Sequence, residues 1–282
     1  MGLGLVIGGN GYIGSYLKTR FNVDVVDAGW YGSDLGLPWF DFADYDYVVL
    51  LAAHASTWLC ETEPNGSWVN NVDEFRHLVD MLPVGLPLIY ASSGSVYGST
   101  GRNAMEIDTP STPVAHYDLQ KLTIDLIAQH AIRAGHRLVG LRFGTVNGIA
   151  PHTRVDLMVN AMVNSALTEG KITVGNRDKR RALLWLPDLA EAIHNIVKRP
   201  SPGVYNLAST NITVGEIADA VASHLDVPTV DAQFTNPFSF GLDCFKFIKT
   251  FGDYRITHQH EVIDGLAANL RTVRTTRRDE LP

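Results

Sequence analysis

The chain has 282 residues, 45% of them hydrophobic, with 25 glycines and 13 prolines spread along it, enough for one large core or two joined lobes. Its 23 Lys and Arg against 30 Asp and Glu leave a net charge of −7, so no nucleic-acid partner is expected. The two cysteines, Cys60 and Cys244, lie far apart without metal-ligand spacing, which fits a reducing, cytoplasmic setting and no metal.

The first segment, MGLGLVIGGNGYIG, lacks a basic leader region and breaks its apolar run with glycines, so neither a signal peptide nor a membrane span is expected. Leu3 to Ile7 reads as a short strand, and the chain returns to helical spacing through Ile13 and Leu17. Between them Gly9, Gly11 and Gly14 satisfy G-x-G-x-x-G, and Gly8, Gly11 and Gly14 form a second regular spacing. Strand, glycine turn and helix N-terminus together make a pyrophosphate site, because glycines admit close backbone approach and the helix end offers free N–H groups. The next apolar run, Val23 to Val26, ends at Asp27, 19 residues beyond Gly8. A carboxylate there accepts hydrogen bonds from a ribose diol and repels a 2′-phosphate, which favours NAD over NADP. Taken singly, Asp27 is also an ordinary strand-end residue.

Only 19 residues, rich in Gly, Asp, Pro and aromatics, separate Asp27 from the strand Tyr47 to Leu51, so the crossover there is shortened. A helix follows from about Pro64 through Asn71, Leu78 and Met81, and then the strand Leu86 to Ala91. That strand delivers SSGSVYG at its carboxyl end, the rim where an open parallel sheet binds ligands, and so carries Ser93 there. In PVAHYDLQK, Tyr117 and Lys121 stand four apart at the start of a helix and share one face. A neighbouring ammonium is expected to lower the phenol from its usual pKa of ~10 and make it a base. The same spacing is common on solvated helix faces, so the surrounding motifs decide. Arg137 to Val146 reads as a core strand, and the helix after it carries an apolar stripe through Leu157, Ala161 and Ala166 that turns Arg154 and Asn160 toward the cleft. Arg181 opens RALLWLPDLAEAI, where Asp188 is a candidate N-cap. Gly203 to Leu207 reads as the last sheet strand.

In this order GGNGYIG, Asp27, VVLLAAH, WVNNV, YASSGSVYG, HYDLQK, LRFGTVNG, RRALLWLPDLAEAI and GVYNLAS resemble the extended short-chain dehydrogenase/reductases over nearly the whole chain. The branch they resemble is that of the NAD-dependent nucleotide-sugar epimerases and dehydratases. The resemblance implies a catalytic trio of Ser93, Tyr117 and Lys121. It implies NAD held by Gly8, Gly11, Tyr12, Ile13, Gly14, Asp27, Leu51, Ala52, Ala53, Asn71, Tyr117 and Lys121, with Asn71 steadying the inner helix beside the lysine. It places substrate on Ser93, Thr145, Arg154, Asn160 and Arg181, the last at the diphosphate. Thr145 stands where many relatives have asparagine, and no ribose-holding arginine and acid occur between Val230 and Asp243, so the nucleotide stays open. After Ser93 come Gly94 and Ser95, where 4,6-dehydratases carry an adjacent Asp-Glu pair, which demotes dehydration.

The expected function is therefore C4 epimerisation of a nucleotide-diphosphate sugar through a 4-keto intermediate, with Tyr117 as base. The alternatives are a nucleotide-4-keto-sugar reductase and a non-catalytic NAD-binding regulator. The expected fold is a Rossmann-like doubly wound α/β parallel sheet, residues 1–145 with 181–210, and a small interleaved substrate lobe, 146–180 with 211–282. The helices near 64–82 and 114–134 resemble those that pair subunits in relatives, so a homodimer is expected, with no membrane association.

Overall fold

A computed structural model describes residues 2–26, 41–108, 113, 115–233 and 238–279. Asp27 and the crossover that follows it lie outside these. Six parallel strands form the main sheet in the spatial order Gly203–Leu207, Leu138–Phe143, Leu88–Ser93, Tyr47–Leu50, Gly4–Ile7, Val23–Val26. The fold is a Rossmann-like doubly wound α/β sheet. Its strands are near-continuous apolar runs because both faces are covered. Leu5 and Ile7 point to one face, where Val48, Leu88, Phe75, Leu78, Ile124 and Ala128 pack under the helices Glu74–Met81 and His116–Arg133. Val6 points to the other, with Leu17, Val49, Ile89, Leu141, Leu189 and Ile193 under Tyr12–Arg20 and Leu186–Lys198. The alternation is the period of two that any strand imposes.

A second core gathers Val159, Val163, Ile217, Val221, Ile263 and Leu266 from three further helices against a small sheet. That sheet orders Thr210–Thr213, Arg180–Trp185 and Thr145–Asn147. Arg180–Trp185 thus pairs outside the main sheet, although the sequence groups it with the nucleotide-binding half. The helix Val214–Leu225 begins with a capping box between Thr213 and Glu216, which satisfies two of its free N–H groups.

Three local expectations change. Asp188 does not cap the helix Leu186–Lys198; it is fully buried and accepts from the Ile256 and Thr257 N–H groups, both at 3.0 Å, tying that later segment to the first turn of this helix. The helix expected from Pro64 is interrupted by a π-helical turn, Val69–Asp73, which contains Asn71. The buried face of the helix Met158–Glu169 runs through Val159, Asn160, Met162, Val163 and Ala166, so Asn160 turns inward. Among the described residues no helix is long and apolar enough to cross a membrane.

The glycine turn is held by contact on every side. Gly8 adopts φ +90°, a conformation that favours glycine, and a Cβ there would press on the Ala52 backbone. A Cβ on Gly9 would meet Val25, and one on Gly14 would lie 2.6 Å from the Gly9 Cα. Gly14→Ala is therefore expected to destabilise the chain by about 1–3 kcal/mol in urea unfolding. Gly11→Ala, whose Cβ would have its nearest neighbour at 3.3 Å, is expected to cost less.

Candidate active site

Ser93 closes the strand Leu88–Ser93, and the short 3-10 turn Gly94–Tyr97 follows at once. The helix His116–Arg133 runs back along this strand and presents Tyr117, Asp118 and Lys121 near its start. All four residues line one cavity of about 320 Å³. Tyr12, Ile13, Leu51 and Ala53 form its wall toward the glycine turn, and Thr145, Arg154 and Arg181 its wall toward the second core.

Lys121 is 4% exposed and donates to the Ala91 carbonyl at 2.8 Å. Its ammonium stands 5.7 Å from the Tyr117 ring centre. Burial pulls its pKa down to about 8, against the attraction of Asp125 one helical turn further on. Asp125 is itself fully buried and paired with Arg142 at 2.8 Å, and it accepts from the Tyr90 hydroxyl at 3.0 Å. Arg142 also donates to the Tyr97 hydroxyl at 2.5 Å, which donates onward to Asn206 at 2.9 Å. Because both partners are satisfied, this buried ion pair holds the helix to three strands of the sheet. Losing either member would strand the other charge, a cost of about 3–5 kcal/mol.

Burial pushes the Tyr117 phenol up to about 12, while a hydrogen bond with Ser93 and the charge of Arg154 pull the other way. The chain's own groups therefore do not bring it toward neutrality, contrary to the expectation from Lys121. The larger cause is burial of the phenol, and the Lys121 ammonium is directed to the Ala91 carbonyl.

Asn71 and Asn160 do not line the cavity; Asn71 holds the His54 backbone between the lining residues Ala53 and Ala55, and Asn160 holds the backbone of Arg154 on its wall. Asn71 accepts from the His54 N–H at 2.8 Å and donates to the His54 carbonyl at 3.1 Å and to Gln120 at 2.6 Å, so the π-helical turn locks the segment after Leu51 to the Tyr117 helix. Asn160, placed by sequence in the cleft, is fully buried. It accepts from the Gly148 N–H at 3.0 Å and donates to the Arg154 carbonyl at 2.8 Å and the Tyr12 hydroxyl at 3.3 Å. Tyr12 donates to the Gly148 carbonyl at 2.8 Å, so this cluster joins the glycine turn to the second core.

Arg154 is paired with Asp156 at 2.5 Å and remains part exposed. Arg181 is 6% exposed and donates to the Arg180 and Phe238 carbonyls. It has no carboxylate partner among the described residues, and burial lowers its pKa. Cys60 lies beside Asn71 and Gln120, fully buried, with burial raising its thiol; neither it nor His54 or His116 lines the cavity.

Sequence reasoning missed the hydroxyl chain beside Tyr117. Ser93 Oγ and Ser95 Oγ are 2.7 Å apart, and Ser95 Oγ is bonded in turn to the carboxyl of Asp118, which is 3% exposed. The available signal was an acidic residue directly after Tyr117 in HYDLQK, at a position that a solvated helix start would also fill.

The glycine turn fits a dinucleotide. Side chains at Gly8 and Gly14 would press on backbone and one at Gly9 on Val25, so the turn stays bare, and the helix from Tyr12 has no side-chain cap on its first N–H groups.

The model of the NAD dependent epimerase/dehydratase family matches residues 4–208. Solved structures share the fold at low identity. The "MoeE5" structure in complex with UDP-glucose and NAD is 22% identical, with a TM-score of 0.81, covering 96% of this chain and 99% of that one. The NAD-dependent NDP-hexosamine 5,6-dehydratase "TunA" is 21% identical with a TM-score of 0.82, covering 96% and 98%. The UDP-glucose 4-epimerase of Thermus thermophilus, complexed with NAD, is 22% identical with a TM-score of 0.77, covering 95% and 99%.

The burial of Lys121 gives a pH signature. Below about pH 8 its ammonium is charged folded and unfolded, and the burial cost is fully present. Between there and the unfolded value of ~10.4 the unfolded chain holds the proton more tightly, so stability rises with pH, by roughly 3 kcal/mol in total. The difference in urea-unfolding free energy between the wild type and Lys121→Met is expected to move by that amount in favour of the wild type from neutral to alkaline pH.

Proposed function

Because the chain belongs to the NAD-dependent epimerase/dehydratase family and is an NAD-dependent enzyme of it, we propose that it is a C4 epimerase of nucleotide-diphosphate sugars working through a 4-keto intermediate. The observation that carries this reading is the convergence of Ser93, Tyr117 and Lys121 on one cavity whose opposite wall holds Arg181. A buried guanidinium without a carboxylate suits a diphosphate, whose oxygens match its forked donors. Elimination of water needs both an acid and a base beside adjacent carbons, and the turn after Ser93 offers Gly94 and Ser95. The carboxyl in reach, Asp118, is engaged with Ser95.

NAD, when bound, supplies the hydride acceptor and donor. Gly8, Gly11 and Gly14 with the N–H groups of the following helix would hold its pyrophosphate, and Lys121 its nicotinamide ribose. Asp27 would take the adenosine ribose. Tyr117, as phenolate, takes the proton of the sugar 4-hydroxyl and returns it, while Ser93 bonds the same oxygen as it becomes a carbonyl. A phenolate of high proton affinity is a strong base for an alcohol; its population limits it, and a hydrogen bond donated by Ser93 raises that population. Thr145 and Arg154 line the sugar side.

We infer a homodimer through the helices spanning 64–81 and 116–133, whose outer faces expose Val69, Leu119 and Leu126. A solution mass of one chain would overturn this.

The reaction is tested by denaturing the purified protein and assaying released dinucleotide, then offering a panel of nucleotide sugars and the corresponding free sugars. Retained NAD and C4 interconversion of nucleotide sugars alone are expected. Exchangeable NADH or NADPH with net reduction would make it a reductase, and failure to bind any dinucleotide would sink both. Tyr117→Phe is expected to lower kcat by about 10²–10⁴-fold with NAD still bound; unchanged turnover would remove Tyr117 from its role.

A further inference from the structure

A serine hydroxyl carries one proton, so a row of hydroxyls ending on a carboxyl has a direction set at the carboxyl end. Ser95 Oγ is bonded to Asp118 Oδ1, and it shares a 2.7 Å bond with Ser93 Oγ in which either can donate. Ser93 Oγ also accepts from the Ser95 N–H at 3.2 Å, and it shares the cavity wall with Tyr117, whose phenol pKa it pulls down. When Asp118 is ionised it only accepts, so Ser95 gives it its proton. Ser93 must then donate to Ser95 and can only accept from Tyr117. When Asp118 is protonated it donates to Ser95, Ser95 donates to Ser93, and the Ser93 proton is free for the Tyr117 oxygen or a sugar oxygen.

We propose that Asp118 is a positioning residue that acts through Ser95 to set the donor direction of Ser93, the neutral carboxyl being the form that supports turnover. The proposal rests on the epimerase reading of the same cavity only for its effect on turnover; the hydrogen-bond direction stands apart from it. One proton enters or leaves at Asp118 and no bond between heavy atoms changes. Burial raises the Asp118 pKa, the hydrogen bond from Ser95 works against it, and the charge of Glu61, on the adjacent helix Thr57–Thr62, adds to the rise. Tyr117 adjoins it on its own helix, and Lys121, Arg154 and Arg181 are the cations on the same cavity walls. The Glu61 carboxylate is itself held by the His116 N–H at 2.7 Å.

The test is a double-mutant cycle on the NAD-loaded protein, with a ring-fluorinated tyrosine incorporated at position 117 and its ionisation followed by fluorine NMR. Asp118→Asn is isosteric and permanently neutral, so it mimics the protonated carboxyl. It is expected to lower the phenol pKa by about one unit more in the presence of Ser95 than in a Ser95→Ala background, a tenfold coupling. The direct charge effect of Asp118 is common to both backgrounds and cancels. In parallel, the fall of kcat that accompanies Asp118 ionisation is expected to vanish in Asp118→Asn. Equal phenol shifts with and without Ser95 would overturn the proposal, since Asp118 would then act through its charge alone. Coupling in the phenol titration without turnover of any nucleotide sugar would overturn the epimerase reading and leave the relay standing.

Discussion

An ammonium held out of water at Lys121 is the constraint around which this structure is arranged. Burial of the charge is unfavourable, and the chain offsets it with the Ala91 carbonyl at 2.8 Å and with Asp125 behind it. Asp125 is in turn buried and needs Arg142, and Arg142 needs Tyr97, whose hydroxyl reaches Asn206. The Asn206 backbone is fixed as well, its N–H donating to Glu106 at 2.7 Å. One buried charge thus fixes the register of the helix His116–Arg133 against the strands Leu88–Ser93, Leu138–Phe143 and Gly203–Leu207. Tyr117, one turn earlier on that helix, is positioned by the same contacts.

The second organising contact joins the two cores. Tyr12, the first residue of the helix after the glycine turn, reaches the Gly148 carbonyl, and Asn160 completes the junction from the helix Met158–Glu169. The wall that carries Arg154 is therefore set by the glycine turn. Asn71 plays the corresponding part on the other side, tying the segment after Leu51 to Gln120 on the Tyr117 helix. Both asparagines serve the cavity from behind its walls. Their amides satisfy backbone groups that would otherwise be buried unpaired.

The glycine turn, the strand that ends at Ser93 and the Tyr117–Lys121 pair were legible because each is a local matter. Gly14 is needed by contacts within its own turn and Gly8 by its φ of +90°, and four-residue spacing alone puts Tyr117 and Lys121 on one helix face. The role of Asn160 was not legible, because a polar residue on a helix reads the same whether it faces a ligand or a buried backbone carbonyl. Asp188 misled for a similar reason: its position suits a helix cap, but the N–H groups it bonds belong to Ile256 and Thr257. Ser95 and Asp118 were passed over because 23 residues separate them in the chain and only packing of the helix on the strand end brings them into contact.

By itself, then, the sequence determined the glycine turn, the sheet class and part of the cavity lining, Ser93, Tyr117 and Lys121 among it, since backbone conformation and side-chain periodicity act over a few residues. Tertiary structure alone decided the electrostatics of those residues. It turned Lys121 toward the Ala91 carbonyl, pushed the Tyr117 phenol up to about 12 rather than down, and placed Asp118 at the end of a hydroxyl chain leading to Ser93. Proton affinities depend on burial and on partners distant in sequence, and both come into being only when the helix and the strand end are packed together.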